Sequence, residues 1–241
     1  MENTFNSYNT RDKLFQKLVD SNSGWSSILK TMIYSEDFNN ILLYLANEVS
    51  NERRFTPPLS KIFNSFTTCP IDKLKVVIIG MDPYNKMGVA DGIAFSCSET
   101  SSPQPSLRFI QKAIVSTVYN NEKKVEEMNK DLRYLSNQGV LLVNAALTVQ
   151  IDKAGSHLKV WKPFTAFLLD MLNYVDTPLV YLLFGKDAQQ YADLISDKHI
   201  ILTASHPASA AYNRLKEWDC NNVFNECNNY LETLGKEKII W

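Results

Sequence analysis

Early in the chain, apolar positions recur at helical spacing. Ile28, Leu29, Met32 and Ile33 form one face, and Phe38, Ile41, Leu42, Tyr44, Leu45 and Val49 form another. Ser35 precedes the second face as an N-cap, with Glu36 and Asp37 in the first turn, where negative charge complements the helix dipole. Residues 1–24 are rich in Asn, Ser and charge, with helical fragments around Leu14–Val19, and predict a partly ordered N-terminal arm ahead of a domain spanning 25–241. Phe55-Thr56-Pro57-Pro58 cannot be helix interior and marks a break. Leu59–Phe66 reads as a short helical element.

At Val76 the period changes. Val76-Val77-Ile78-Ile79 is a continuous β-branched run, the pattern of a strand buried on both faces. Val140–Val143, Leu179–Phe184 and His199–Thr203 repeat it. Helical stretches fall between and after them: Leu107–Tyr119, extended toward Leu135, then Trp161–Leu172, Ala188–Ile195 and Val223–Leu234. This alternation predicts a single α/β domain with a four-stranded parallel sheet flanked by helices on both faces.

Open parallel sheets collect ligands at the carboxyl ends of their strands. The segments there are Gly80–Tyr84, Asn144–Thr148, Gly185-Lys186 and Ser205-His206-Pro207, which bring an Asp, an Asn, a Lys and a His to one edge. Asp82 can position a water, stabilise a cation or act as a base, and an Asp there equally serves as a cap or turn residue. Asn144 offers an acceptor beside a donor, matching a nucleobase edge, or it bonds its own backbone in a turn. His206, held extended by Pro207, can donate to a developing oxyanion or titrate as acid or base. Phe95 is either a stacking platform for a base or plain core.

Composition narrows the classes further. The 241 residues carry 25 Lys plus Arg against 26 Asp plus Glu, a net charge of -1, which excludes a broadly basic nucleic-acid-coating protein but not a local basic patch. Lys153, Lys159, Lys186, Arg214 and Lys216 fall near the proposed edge in sequence and are candidates for phosphate contact. Cys69, Cys97, Cys220 and Cys227 lack metal spacing, so no metal site is expected. The sequence shows no G-x-S-x-G elbow, no Walker A motif and no G-x-G-x-x-G fingerprint. With neither a signal peptide nor an 18-residue apolar run, the expectation is an intracellular protein with no membrane association.

Several ordered motifs resemble those of family 1 uracil-DNA glycosylases. Gly80-Met81-Asp82-Pro83-Tyr84-Asn85 resembles the water-activating G-Q-D-P-Y-H loop, and Gly139–Thr148 resembles G-V-L-L-L-N-x-x-L-T. Ser156-His157 with Trp161, Phe164 and Thr165 resembles S-H…W…F-T. Ser205-His206-Pro207 resembles the start of H-P-S-P, Phe55–Pro58 with Phe63–Phe66 resembles Y-P-P…F-N-A-F, and Ile239-Ile240-Trp241 resembles I-D-W. The resemblance covers residues 25–241. It implies hydrolysis of the N-glycosidic bond of deoxyuridine in DNA, with no metal and no organic cofactor.

The resemblance also implies residue roles. Asp82 would orient the attacking water and stabilise the oxocarbenium-like sugar, and His206, as a neutral imidazole, would donate to uracil O2. Asn144 would read uracil N3–H and O4, Phe95 would stack on the flipped base, and Tyr84 would exclude a 5-methyl group. Met81 would contribute through its main chain. Ser106, Lys186 and Ser205 would contact DNA. The intercalating leucine of the family falls on Ala210, which the match makes a DNA contact but which is too small for a wedge; Tyr212 and Arg214 are further DNA contacts, and Tyr212, Arg214 or Leu215 would take over the wedge. Met81 and Asn85 depart from the family Gln and His. The partner implied is uracil-containing DNA, single- or double-stranded, with a proteinaceous inhibitor or a replication protein as further candidates and a monomer as the expected state. The compartment would be bacterial cytoplasm, or nucleus or viral factory. Two alternatives stay open here: a DNA-binding accessory homologue with weak catalysis, and a glycosylase of altered base preference.

Overall fold

The structure is a computed structural model that describes residues 7–213 and 215–241. Its helices are α1 (Ser7–Asp20), α2 (Trp25–Ile33), α3 (Glu36–Ser50), α4 (Asn64–Thr68), α5 (Pro105–Thr117), α6 (Arg133–Ser136), α7 (Leu158–Leu172), α8 (Lys186–Gln189), α9 (Pro207–Tyr212) and α10 (Val223–Thr233). Its strands are β1 (Phe55–Thr56), β2 (Val76–Gly80), β3 (Val140–Asn144), β4 (Val149–Gln150), β5 (Val180–Phe184) and β6 (Ile200–Ala204). Four of them form the expected parallel sheet, in the order β3-β2-β5-β6. β1 and β4 pair antiparallel in a separate two-residue ribbon that the periodicity did not reveal.

Strand side chains alternate between faces, so each continuous apolar run feeds two cores. Val77, Ile79, Leu141, Val143, Tyr181 and Leu183 pack with α1–α4 and α7. Val76, Ile78, Val140, Leu142, Val180 and Leu182 pack on the opposite face with α5, α10 and the terminal Trp241. β6 is an edge strand, and its partly exposed pattern follows from that position.

Two expectations are corrected. Residues 7–20 are not a separate arm. Leu14 and Leu18, four apart on α1, are buried in the same core as α2 and α3. Burying a leucine side chain is worth about 1.5–3 kcal/mol, enough to hold the helix against the domain. The helix from Leu107 does not run toward Leu135 either. It ends at Thr117, and Asn120 and Asn121 then take positive φ angles of 48° and 65°, a left-handed backbone that closes the helix.

The topology fixes where a site can form. The chain passes from β2 to β3 on one side, then returns past β2 to β5 on the other. The strand order therefore reverses at β2, and a crevice opens beyond its carboxyl end.

Candidate active site at the carboxyl edge of the sheet

A cavity of about 190 Å³ lies in this crevice. Its wall includes Met81, Asp82, Tyr84, Phe95, Ser106, Asn144 and His206, so seven positions singled out in the sequence converge on one space. Asn85, the departure from the family histidine, also lines it.

Asp82 sits two residues beyond β2. Its Oδ2 accepts a hydrogen bond from Gly155 N–H at 2.6 Å, which fixes the carboxylate from the far side of a 151–157 turn. Burial pushes its pKa up, Gly155 N–H opposes that, and the charge of Asp187 adds to the rise. The Asp82 loop is itself tied to the turn: Asp152 N–H donates to Asn85 O at 2.9 Å, and Lys86 pairs with Asp152.

Asn144 ends β3 beside Gly80, and its side chain is only 9% exposed. Its amide makes no hydrogen bond to the described residues, so donor and acceptor are both available to a ligand. Gly80 is required for this placement, because a Cβ there would stand 2.3 Å from Asn144 Oδ1.

His206 has a defined tautomer. Its Nδ1 accepts from Ala208 N–H at 3.1 Å, so the ring proton resides on Nε2 as a donor. Burial lowers its pKa and Asp187 opposes that, so the ring is neutral near pH 7. Gly185, with φ of 82°, lies against it, and a Cβ there would be 2.7 Å from His206 Cβ. Gly185→Ala should therefore displace the imidazole and lower uracil release about 10- to 100-fold, since a misplacement on the order of 1 Å can cost that much. Single-turnover rates alongside a melting curve check this; a wild-type rate would sink it.

Phe95 is shaped by a loop that sequence reasoning passed over. Buried Asp91 accepts from Ile93 N–H at 3.1 Å, Ser96 Oγ–H at 2.6 Å and Ser98 N–H at 3.0 Å. The loop closes on this carboxylate and holds Phe95 at φ of 64°, an unusual conformation for an aromatic residue. Tyr84 Oη donates to Phe95 O at 2.9 Å, joining the two aromatic walls. Burial raises the Tyr84 pKa, so the phenol keeps that proton.

The remaining positions lie outside the cavity wall. Lys186 is exposed at the start of α8. Ser205 is exposed, and Trp218 Nε1–H donates to its carbonyl at 3.0 Å and to its Oγ at 2.9 Å, fixing a residue the sequence could only place in a loop. Ala210 is 1% exposed and packed in the core around α5 and α10, which corrects its assignment as a DNA contact: the small side chain allows α9 to seat closely, facing inward. Arg214 and the side chain of Tyr212 lie outside the described residues. Leu215, just beyond, is 55% exposed. Among the described residues no group of three or more His, Cys, Asp or Glu side chains could hold a metal ion. None of the described helices is long and apolar enough to cross a membrane.

A carboxylate, an Nε2–H donor and an unengaged amide line one small cavity, a set suited to hydrolysis at a bond to a heterocyclic base. The chain belongs to the uracil-DNA glycosylase superfamily, as a family 1 enzyme that hydrolyses the uracil–sugar bond in DNA. The family model for that superfamily matches residues 66–232. A uracil-DNA glycosylase of Christiangramia forsetii is 36% identical over 225 residues, covering 92% of this chain and 99% of that protein. One from Campylobacter fetus is 37% identical over 228 residues, covering 93% of each. Among solved structures, a variant of the mimivirus enzyme in complex with UGI superimposes with a TM-score of 0.79 at 24% identity, over 90% of this chain and 87% of that one.

Proposed function

We propose that the cavity receives a deoxyuridine swung out of the DNA stack, and that Asp82, Asn144 and His206 perform the excision. Everting the nucleotide is needed because the glycosidic bond is inaccessible within the duplex. Phe95 stacks on the base, and Tyr84 occupies the space beside C5, where a thymine methyl would clash. Asn144 accepts from uracil N3–H and donates to O4; cytosine presents the opposite pattern at both positions.

As the C1′–N1 bond breaks, its electron pair moves onto the base and positive charge develops on the sugar. His206 Nε2–H donates to O2, where the negative charge accumulates. The Asp82 carboxylate stabilises the cationic sugar and orients the water whose oxygen bonds to C1′ and whose extra proton is released to solvent. Uracil leaves as an anion and takes up a proton from solvent, and the DNA retains an abasic site. The Met81 main chain supports the base, and Ser106, Lys186 and Ser205 hold flanking phosphates. The observation that carries this reading is the convergence of Asp82, Asn144 and the Nε2–H tautomer of His206 on one cavity. Uracil release from single-stranded and duplex DNA with one deoxyuridine tests it. Tight DNA binding with no release above background would overturn it.

For the wedge that fills the vacated base stack, the exposed Leu215 is the replacement for the leucine that the family carries at the position of buried Ala210. Leu215→Ala should lower excision from duplex about tenfold and leave single-stranded DNA nearly unaffected, because only the duplex imposes an unstacking cost of a few kcal/mol. Equal effects on both substrates would exclude the wedge. The fold shared with the UGI-bound mimivirus variant supports a protein inhibitor of that kind as a further partner.

A further inference from the structure

The 151–157 turn holds Asp82 in place, and something must hold the turn. Beneath it lies a buried polar chain that the excision chemistry leaves unused. Trp161 Nε1–H donates to Thr148 Oγ1 at 2.7 Å, and Thr148 Oγ1 lies 2.9 Å from His157 Nδ1. These are the only partners of that hydroxyl among the described residues. If the imidazole also donated to it, the hydroxyl proton would have no acceptor at a fully buried site. Thr148 therefore donates to Nδ1, and the His157 ring proton sits on Nε2. That proton points toward Glu48 Oε2 at 3.9 Å, too long for a hydrogen bond and close enough for a charge interaction. Among the described residues His157 Nε2 has no other partner, and His157 and Glu48 are both buried, at 1% and 3% exposure.

Each end of the chain is anchored. Glu48, near the end of α3, pairs through Oε1 with Arg53 Nε at 2.8 Å. The His157 ring is clamped edge-on by Tyr44 at 5.4 Å and by Phe55 at 6.2 Å. Two residues before His157, Gly155 N–H reaches Asp82 Oδ2 at 2.6 Å, and between them Ser156 Oγ accepts from Gln150 N–H at 2.9 Å. The chain thus runs from a buried carboxylate on α3 to the backbone amide that orients Asp82.

We propose that Glu48, His157 and Thr148 are positioning residues for uracil excision: their buried chain fixes the 151–157 turn so that Gly155 N–H holds Asp82 Oδ2 toward the sugar. The proposal rests on Asp82 acting as described above. The charged and titratable groups around the chain are Arg53 and Tyr44 beside Glu48, and Asp82 in addition feels Asp187 and faces His206 across the cavity. Burial favours the neutral form of His157, which suits a ring fixed by one acceptor bond and one oriented N–H. Loosening the turn weakens the Gly155 bond. That bond favours ionised Asp82, so its loss moves the carboxyl toward higher pKa and the acid limb of excision toward higher pH.

The test is single-turnover release from a single-stranded oligonucleotide carrying one deoxyuridine, measured from acid to neutral pH below each variant's melting temperature. Glu48→Gln and Thr148→Val should lower the plateau rate about 10- to 100-fold. Both should also move the acid limb upward by about half a unit or more, with affinity for the DNA unchanged. Thr148→Ser keeps the hydroxyl and should restore rate and limb. If Glu48→Gln does not fold, the Thr148→Val and Thr148→Ser pair decides alone. Variants that melt earlier yet match wild type in rate and limb overturn the proposal and leave the chain a packing feature. Asp82→Asn in the same assay separates the two readings: if it retains activity, the role of Asp82 fails; if it is inactive while Thr148→Val matches wild type, only the positioning role fails.

Discussion

Asp82→Asn is expected to lower the single-turnover rate of uracil release by about 10³-fold, within the range for a positioned carboxylate, without weakening binding to uracil-containing DNA. The substitution keeps size and shape, and an amide oxygen can still accept from Gly155 N–H. What disappears is the negative charge in a partly desolvated cavity, where an electrostatic contribution exceeds its value in water. His206→Leu would remove the donor proposed for O2 and should lower the rate about 10²- to 10³-fold. The two groups act on opposite ends of one polarising bond, so the double variant loses less than the product of the single effects. The pH profile provides a second signature. Burial raises the Asp82 pKa above the ordinary carboxylate value, and the role proposed for Asp82 requires the ionised form. Activity therefore falls as pH drops through that raised value, and this limb is absent from the residual rate of Asp82→Asn. Rapid-quench assays across the acid range measure both effects. A variant rate within tenfold of wild type would remove Asp82 from the mechanism.

The central strands were legible because burial on both faces leaves an uninterrupted β-branched run; β2 and β3 differ from their expected spans by one residue. The edge residues were legible for a related reason, since topology places whatever follows a parallel strand at the site. The residues that hold those groups were not. Gly155 is 73 positions from Asp82 and acts through a backbone amide that any residue would supply. Asp91 folds a loop around its carboxylate to set the unusual backbone of Phe95, and its sequence context of Ala-Asp-Gly reads simply as a turn. Ala210 was misplaced because motif spacing fixes position along the chain but not which face of a short helix meets the core. The seating of α1 is less legible: Leu14, Phe15, Leu18 and Val19 form one short apolar group in a polar segment and carry little periodic signal, yet Leu14 and Leu18 at four-residue spacing, with Phe15 beside them, suffice to seat the helix.

Base reading should be separable from bond cleavage. Asn144→Ala should leave the N3–H and O4 edge of uracil without its proposed partners at a site where Asn144 is itself buried. Each unpaired buried group costs about 1–3 kcal/mol, so excision should fall about 10²-fold or more. Truncation also opens space, so this variant alone cannot distinguish a lost amide from a loosened wall. Gly80→Ala makes that distinction. It retains the amide and adds one methyl group 2.3 Å from the present position of Asn144 Oδ1. Both atoms lie at paired strand ends, Gly80 opposite Asn144, so the side-chain amide must rotate before the backbone shifts. Gly80→Ala should thus reproduce most of the Asn144→Ala loss, and both variants should bind free uracil more weakly, as read by product inhibition. Asp82 and His206 approach from other loops, so the acid limb should stay in place in both. A Gly80→Ala enzyme with wild-type rate and uracil affinity would show that the amide does not read the base from this position. A displaced acid limb would instead mean that the methyl group disturbs the Asp82 loop two residues downstream.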